Sequence, residues 1–201
     1  MAESNITNDN RLSRTLQAID KINLMDERLE RAEEKRLPKE YLYSLRASET
    51  LDSYSPESNE LLKIAVRGHH IKRWAIDRGD FPMDRTGYLQ WRTKLKIYHA
   101  DLLSEILEEN RYSPEEIKKV RQLVMKNKLK TDEETQTLED VICLVFLRYY
   151  FEEFITKHSK EKVVEIVRKT WLKMSQNAHE FALKLSYPQH INDILVEALE
   201  K

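Results

Sequence analysis

The chain has 201 residues, 34 basic against 35 acidic side chains, a formal net charge of −1 at pH 7 and 40% hydrophobic residues. That mix excludes a disordered tail or a fibre, and it provides no global field for nucleic acid or anionic lipid, so binding of either would need a local patch. Cys143 stands alone, which excludes an intrachain disulfide framework and a structural zinc knuckle.

Three glycines and five prolines are too few for the turns of an all-β fold, while helix formers abound, so the expected fold is all-α. Leu12, Leu16 and Ile19 recur at helical spacing and predict a first amphipathic helix. Residues 24–37 are dense in charge and read as a solvated connector. Pro38 opens a helix expected to reach Asp52, and Ser55-Pro56 opens another expected to reach Trp74. Gly79 and Pro82 mark a break over residues 77–84. Beyond it Tyr88, Trp91, Leu95, His99, Leu102 and Ile106 form one helical stripe that contains a histidine.

Ser113-Pro114 followed by Glu115-Glu116 starts a shorter helix bearing Ile117, Val120 and Val124. Thr131 or Asp132 then caps a long helix in which Val141–Leu147 is apolar on every side, the pattern of a buried centre. Helices over 159–174, 178–185 and 188–199 close the chain. The expectation is one domain over 1–201, a bundle of about eight or nine helices, with 1–37 an N-terminal helix and connector, 38–174 the core, and 175–201 the last helices. No strand is expected. No apolar run nears the roughly 18 residues of a membrane span, and MAESNITNDNRLSR lacks the apolar middle of a signal peptide. No membrane partner is expected, and the expected location is cytoplasmic.

Ionisable residues inside apolar stripes carry the functional information, because buried polar groups need partners. His69-His70 end the stripe of Leu62, Ala65 and Val66, His99 interrupts the next one, and Glu139-Asp140 precede the apolar run. Each has a structural alternative: His99 a hydrogen-bonded core histidine, Asp140 a carboxylate paired with an arginine. Should the three helices converge, His69 or His70, His99 and Asp140 would form a nitrogen and oxygen set for one divalent metal, whether Mn, Fe, Co, Ni or Zn. Neighbouring helix positions differ by about 100°, so one of His69 and His70 is expected to face the site. Basic residues flank these positions: Arg67, Lys72 and Arg73, then Arg85 and Arg92, then Lys126, Lys128 and Lys130. Facing one cleft they suit phosphate groups; otherwise they are a solvated face. Trp74 and Trp91 either floor the pocket or belong to the core. His158, His179 and His190 are expected at the surface.

The stretches His70-Ile-Lys-Arg-Trp74, residues 82–92, His99-Ala100, Leu129–Asp132, residues 136–147 and Lys169–Met174 closely resemble the family termed domain of unknown function 4202, over about Lys39 to Met174. A more distant resemblance is to the HD superfamily of helical metal-dependent phosphohydrolases, with a His, a His-Asp doublet and a distal Asp on separate helices. It implies an HD-like bundle with His69 or His70 as the first ligand, His99 as the doublet histidine and Asp140 as the distal aspartate. Ala100 stands where the doublet needs a carboxylate, and Glu49 is the acidic candidate on the preceding helix.

The expected function is a divalent-metal-dependent phosphohydrolase acting on a nucleotide or small phosphoester. Metal-bound water would be the attacking group, with Glu139 or the spare histidine moving the proton and Arg73, Arg92, Lys126 and Lys130 holding the phosphate beside Trp74. The alternatives are a non-catalytic module binding a nucleotide, RNA or protein, and an iron-dependent oxygenase on the same fold.

Overall fold

A computed structural model describes the backbone of residues 2–199 and the side chains of residues 10–199. Ten α-helices run in chain order among the described residues: α1 (Ala2–Asn23), α2 (Lys39–Tyr54), α3 (Glu60–Gly68), α4 (Arg85–Glu109), α5 (Pro114–Met125), α6 (Glu133–Val145), α7 (Phe151–Lys157), α8 (Lys160–Trp171), α9 (Gln176–Lys184) and α10 (Gln189–Leu199). The fold is all-α apart from one small hairpin. No helix among the described residues is long and apolar enough to cross a membrane.

The start signals act locally as side-chain chemistry requires. Ser113 and Glu116 form a reciprocal capping box at α5, with Pro114 inside the first turn. Asp132 accepts from the Thr135 amide at α6, and Ser159 from Lys162 at α8. Each cap satisfies a backbone donor that has no intrahelical partner. Pro56 is different: α3 starts four residues later, capped by Asn59.

Residues 24–37 are largely exposed, as expected of a solvated connector, but they contain strands, which are not expected. Leu29–Ala32 (β1) pairs antiparallel with Lys35–Pro38 (β2), and Glu33 makes the turn at φ 52°. Glycine or asparagine ordinarily supplies such a φ, so the sequence carries no hairpin signal here. Asp26 lies buried beneath the hairpin, accepting from the Arg28 amide and guanidinium and from the Glu40 amide at the start of α2. That bond anchors the N-terminal turn of α2.

The apolar run of α6 sits at the centre, as its all-round pattern implies. Val141 and Val145 join the core made by α1 to α5, while Cys143 and Leu144 join a second core with α8, α9 and α10. The helix then widens into a π turn over Phe146–Tyr150, which brings Tyr150 against Tyr43 of α2 with ring centroids 5.7 Å apart.

The C-terminus of α3 governs the site. At Gly68 the helix lies on Leu103 of α4 so closely that a Cβ would be 2.9 Å from Leu103 Cδ1. The helix expected to continue to Trp74 ends there. His69 forms its last cap, Lys72 adopts φ 51°, and Arg73–Ala75 form a single 3-10 turn. Asn23 of α1 holds this turn by accepting from the Lys72 amide at 3.0 Å.

Candidate functional site: a histidine cavity ringed by cations

Because α3 ends at Gly68, His69 and His70 are not fixed 100° apart around a helix, and both line one cavity with His99 of α4. The ring centroids are 4.2 Å apart for His69 and His70 and 6.1 Å for His70 and His99. On α4 the positions 92, 95, 96 and 99 share a face, and Arg92, Leu95 and Lys96 complete that wall. Arg73 enters from the turn after α3, and Lys126 from the left-handed C-cap of α5 at φ 56°. The enclosed volume is about 30 Å³, room for one or two water molecules.

The three imidazoles are held differently. His69 uses both nitrogens, Nδ1 with the Val66 carbonyl at 3.0 Å and Nε2 with the Tyr43 hydroxyl at 3.1 Å. His70 stacks on Tyr43 and has Nδ1 3.7 Å from the buried Glu40 carboxyl. His99 donates from Nδ1 to the Ile71 carbonyl at 2.7 Å, and its buried Nε2 has no protein partner.

Burial lowers the basicity of all three rings, and the neighbouring cations reinforce it. His69 falls to about 3 and His99 to about 4, while His70 lies well below its ordinary value. All three are therefore neutral at pH 7. Burial likewise pushes Lys96 and Lys126 down, Lys96 also through Lys126 and Arg92, whereas Glu139 pulls Lys126 back up by accepting its proton in a hydrogen bond. Burial alone would raise the Glu139 carboxyl, but Lys126, Lys173 and Arg92 hold it below the usual carboxylate range. Burial raises Glu40 despite Arg73 and Arg28. Arg73 also covers the Trp91 ring, 4.8 Å from its centroid, and Trp91 donates to the Ile76 carbonyl. Four cationic side chains thus surround three neutral imidazoles, an arrangement that attracts an anion.

The family model described as Domain of unknown function (DUF4202) matches residues 13–195. The chain belongs to the DUF4202 family. No curated protein and no solved structure matches it.

In this DUF4202 chain the residues singled out from sequence divide between two places. His69, His70, His99, Arg73, Arg92 and Lys126 line the cavity, and Glu139 reaches it through Lys126. Asp140 does not line it. Its carboxylate accepts from Tyr54 Oη at 3.0 Å, Gln136 Nε2 at 2.9 Å and the Ser175 amide at 2.8 Å, besides the Ser175 hydroxyl. Ser175 is the N-cap of α9, so Asp140 ties α6 to the start of α9. Lys130 lines that same separate cleft and donates to the Leu172 carbonyl. Trp74 is half-buried outside the cavity lining, and Arg67 is engaged by Asp20 and Ser48. Arg85 and Lys128 are exposed. Glu49 is at the surface and pairs with Arg148.

Among the described residues no group of three or more His, Cys, Asp or Glu side chains is arranged to hold a metal ion. The local reasons are the double engagement of His69, the diversion of Asp140 and the ring of cations, so the donor set expected for a divalent metal does not fit this cavity. Of the histidines expected at the surface, His158 and His190 are exposed, but His179 stacks flat on Trp171 at 4.1 Å and donates to its carbonyl.

Three contributors escaped the sequence reading. Lys96 carried a usable signal, since 92, 96 and 99 fall on one face of a helix. Tyr43 and Glu40 carried none, because their role depends on α2 packing beside the turn after α3.

Proposed function

We propose that this chain binds and hydrolyses a small phosphoester, with the phosphoryl group taken up by the histidine cavity. One observation carries the reading: Arg73, Arg92, Lys96 and Lys126 line one cavity with His99, whose buried Nε2 has no protein partner. A phosphoryl group supplies the negative oxygens that such cations satisfy, and arginine meets them in a two-pronged fashion. Arg92 and Lys96 are long, half-buried side chains at the rim, and they must swing outward to admit a group larger than water.

The HD-like comparison would add a divalent metal held by His69 or His70, His99 and Asp140. The donor geometry gives that addition no support, and no step is routed through a metal. An iron-dependent oxygenase would require the same donors.

The test is calorimetric titration of the full chain with inorganic phosphate, together with hydrolysis of a panel of phosphate monoesters and nucleotides. Both are run with EDTA and, separately, with added manganese. Saturable phosphate binding that weakens at least about tenfold in Arg73→Ala is expected, that being the low end for a charged hydrogen bond, with turnover insensitive to EDTA. No binding would overturn the reading. Turnover that appears only with metal would replace it by the metallohydrolase, and binding without turnover on any substrate would leave a phosphate-binding module.

A further inference from the structure

Resting on that phosphoester reading, we propose that His99 is the nucleophile of the site: its Nε2 attacks the phosphorus of a phosphate monoester, and the chain passes through a phosphohistidine. The Nδ1–H bond to the Ile71 carbonyl fixes the tautomer that leaves a lone pair on Nε2. That nitrogen is buried, faces no protein donor and belongs to a ring lining the cavity. An unpaired buried polar atom is costly, and a bound phosphoryl group relieves it. His69 cannot take this role because both its nitrogens are engaged, and His70 is partly exposed with one nitrogen toward Glu40. Burial together with Arg73 and Arg92 keeps the His99 ring unprotonated at neutral pH, as a nucleophile requires.

The chemistry balances without metal or redox partner. The Nε2 lone pair forms an N–P bond while the P–O ester bond breaks, its electron pair going to the leaving oxygen. That oxygen takes a proton from the Lys96 ammonium, one turn before His99 on the same face of α4. A water molecule then attacks phosphorus, the N–P electron pair returns to Nε2, and the proton of the water returns to the Lys96 amine as inorganic phosphate departs. Arg73, Arg92 and Lys126 carry the charge of the non-bridging oxygens through both steps. The substrate class follows from the charge: a terminal phosphoryl group offers three non-bridging oxygens to Arg73, Arg92 and Lys126 once Arg92 and Lys96 swing outward, whereas a diester offers two.

The test incubates the full chain with ³²P-labelled acetyl phosphate and, separately, with p-nitrophenyl phosphate, quenches in alkali, and locates the adduct by peptide mass spectrometry. Phosphate binding is measured in parallel by calorimetry. The expected result is an acid-labile, alkali-stable label on His99, lost in His99→Asn, whose side-chain amide keeps the bond to the Ile71 carbonyl. Mapping of the label in the unaltered chain makes the test independent of whether that variant folds. Label on another residue overturns the assignment. Phosphate binding without any label from either donor also overturns it while leaving the phosphoester site intact; absence of both binding and label overturns the site with it.

Discussion

Acidification to pH 5 should weaken this fold through its histidines well before most carboxylates protonate. In the unfolded chain a histidine titrates near 6.5, whereas burial holds His99 down to about 4 and His69 to about 3. Between those values the unfolded state binds more protons than the folded one, so stability falls as pH drops below about 6.5 and continues to fall until the folded values are reached. At pH 5 each ring stands about 1.5 pH units below its unfolded pKa, which at about 1.4 kcal/mol per unit costs about 2 kcal/mol for each histidine. His69 and His99 together account for about 4 kcal/mol, and His70 acts in the same direction. Glu40, raised by burial, works the opposite way, because its folded form gains a proton first. The assay is urea denaturation at pH 7 and pH 5 on the unaltered chain and on His99→Asn, with linear extrapolation to water. Comparing the two chains cancels the Glu40 contribution to first order. The pH-induced loss should be smaller by about 2 kcal/mol in the variant. An identical loss in both chains would refute the placement of His99 as a buried neutral ring.

Gly68→Ala should lower Tm by up to about 8 °C. Overpacking at buried Leu103 costs about 1–3 kcal/mol against a gain of about 1 kcal/mol in helix propensity, a net loss of up to about 2 kcal/mol; a scanning calorimetry trace showing a higher Tm would contradict the close approach of α3 to α4. Asp140→Asn should cost about 2–4 kcal/mol, because one acceptor oxygen, facing either the Tyr54 and Ser175 hydroxyls or the Gln136 and Ser175 amides, becomes a donor. Its inorganic phosphate affinity should stay within about twofold, about 0.4 kcal/mol, because Asp140 does not line the cavity. Calorimetric titration showing a tenfold loss with Tm unchanged would move Asp140 from the α6–α9 junction into the binding site.

The all-α class was legible because it depends on local signals: capping residues at Ser113, Asp132 and Ser159, prolines at helix starts, and the all-round apolar run of α6 that two cores share. The hairpin was not, since its turn places Glu33 in a left-handed conformation without the glycine that would announce it. The site was half legible. Burial of His69 and His99 followed from their places in apolar stripes, and the basic character of Arg73, Arg92 and Lys126 was visible beside them. Asp140 misled because a carboxylate next to an apolar run has the same sequence appearance whether it faces a ligand or caps a neighbouring helix. Only the approach of Ser175 and Tyr54, 35 and 86 residues away in the chain, separates the two.

The feature that sequence periodicity could least disclose is the end of α3. Apolar spacing continues through His69 to Ile71, which is itself fully buried, so nothing in the pattern says that the helix stops. What stops it is contact: Gly68 rests on Leu103, and Asn23 captures the Lys72 amide in a left-handed turn. A lysine at φ 51° carries a steric cost of about 1–2 kcal/mol, and a second left-handed lysine, Lys126 at φ 56°, ends α5 on the opposite wall of the same cavity. Both strained positions do the same thing. Each turns the chain beyond a helix beside the three imidazoles, Lys72 delivering the guanidinium of the following residue, Arg73, and Lys126 its own ammonium. Relaxing either turn into continued helix would carry that charge around the helix axis and away from His99. The left-handed conformation by itself does not mark the cavity, since Glu33, Arg111, Lys128 and Lys130 adopt it outside the lining; what sets Lys72 and Lys126 apart is the convergence of positive charge that their turns produce.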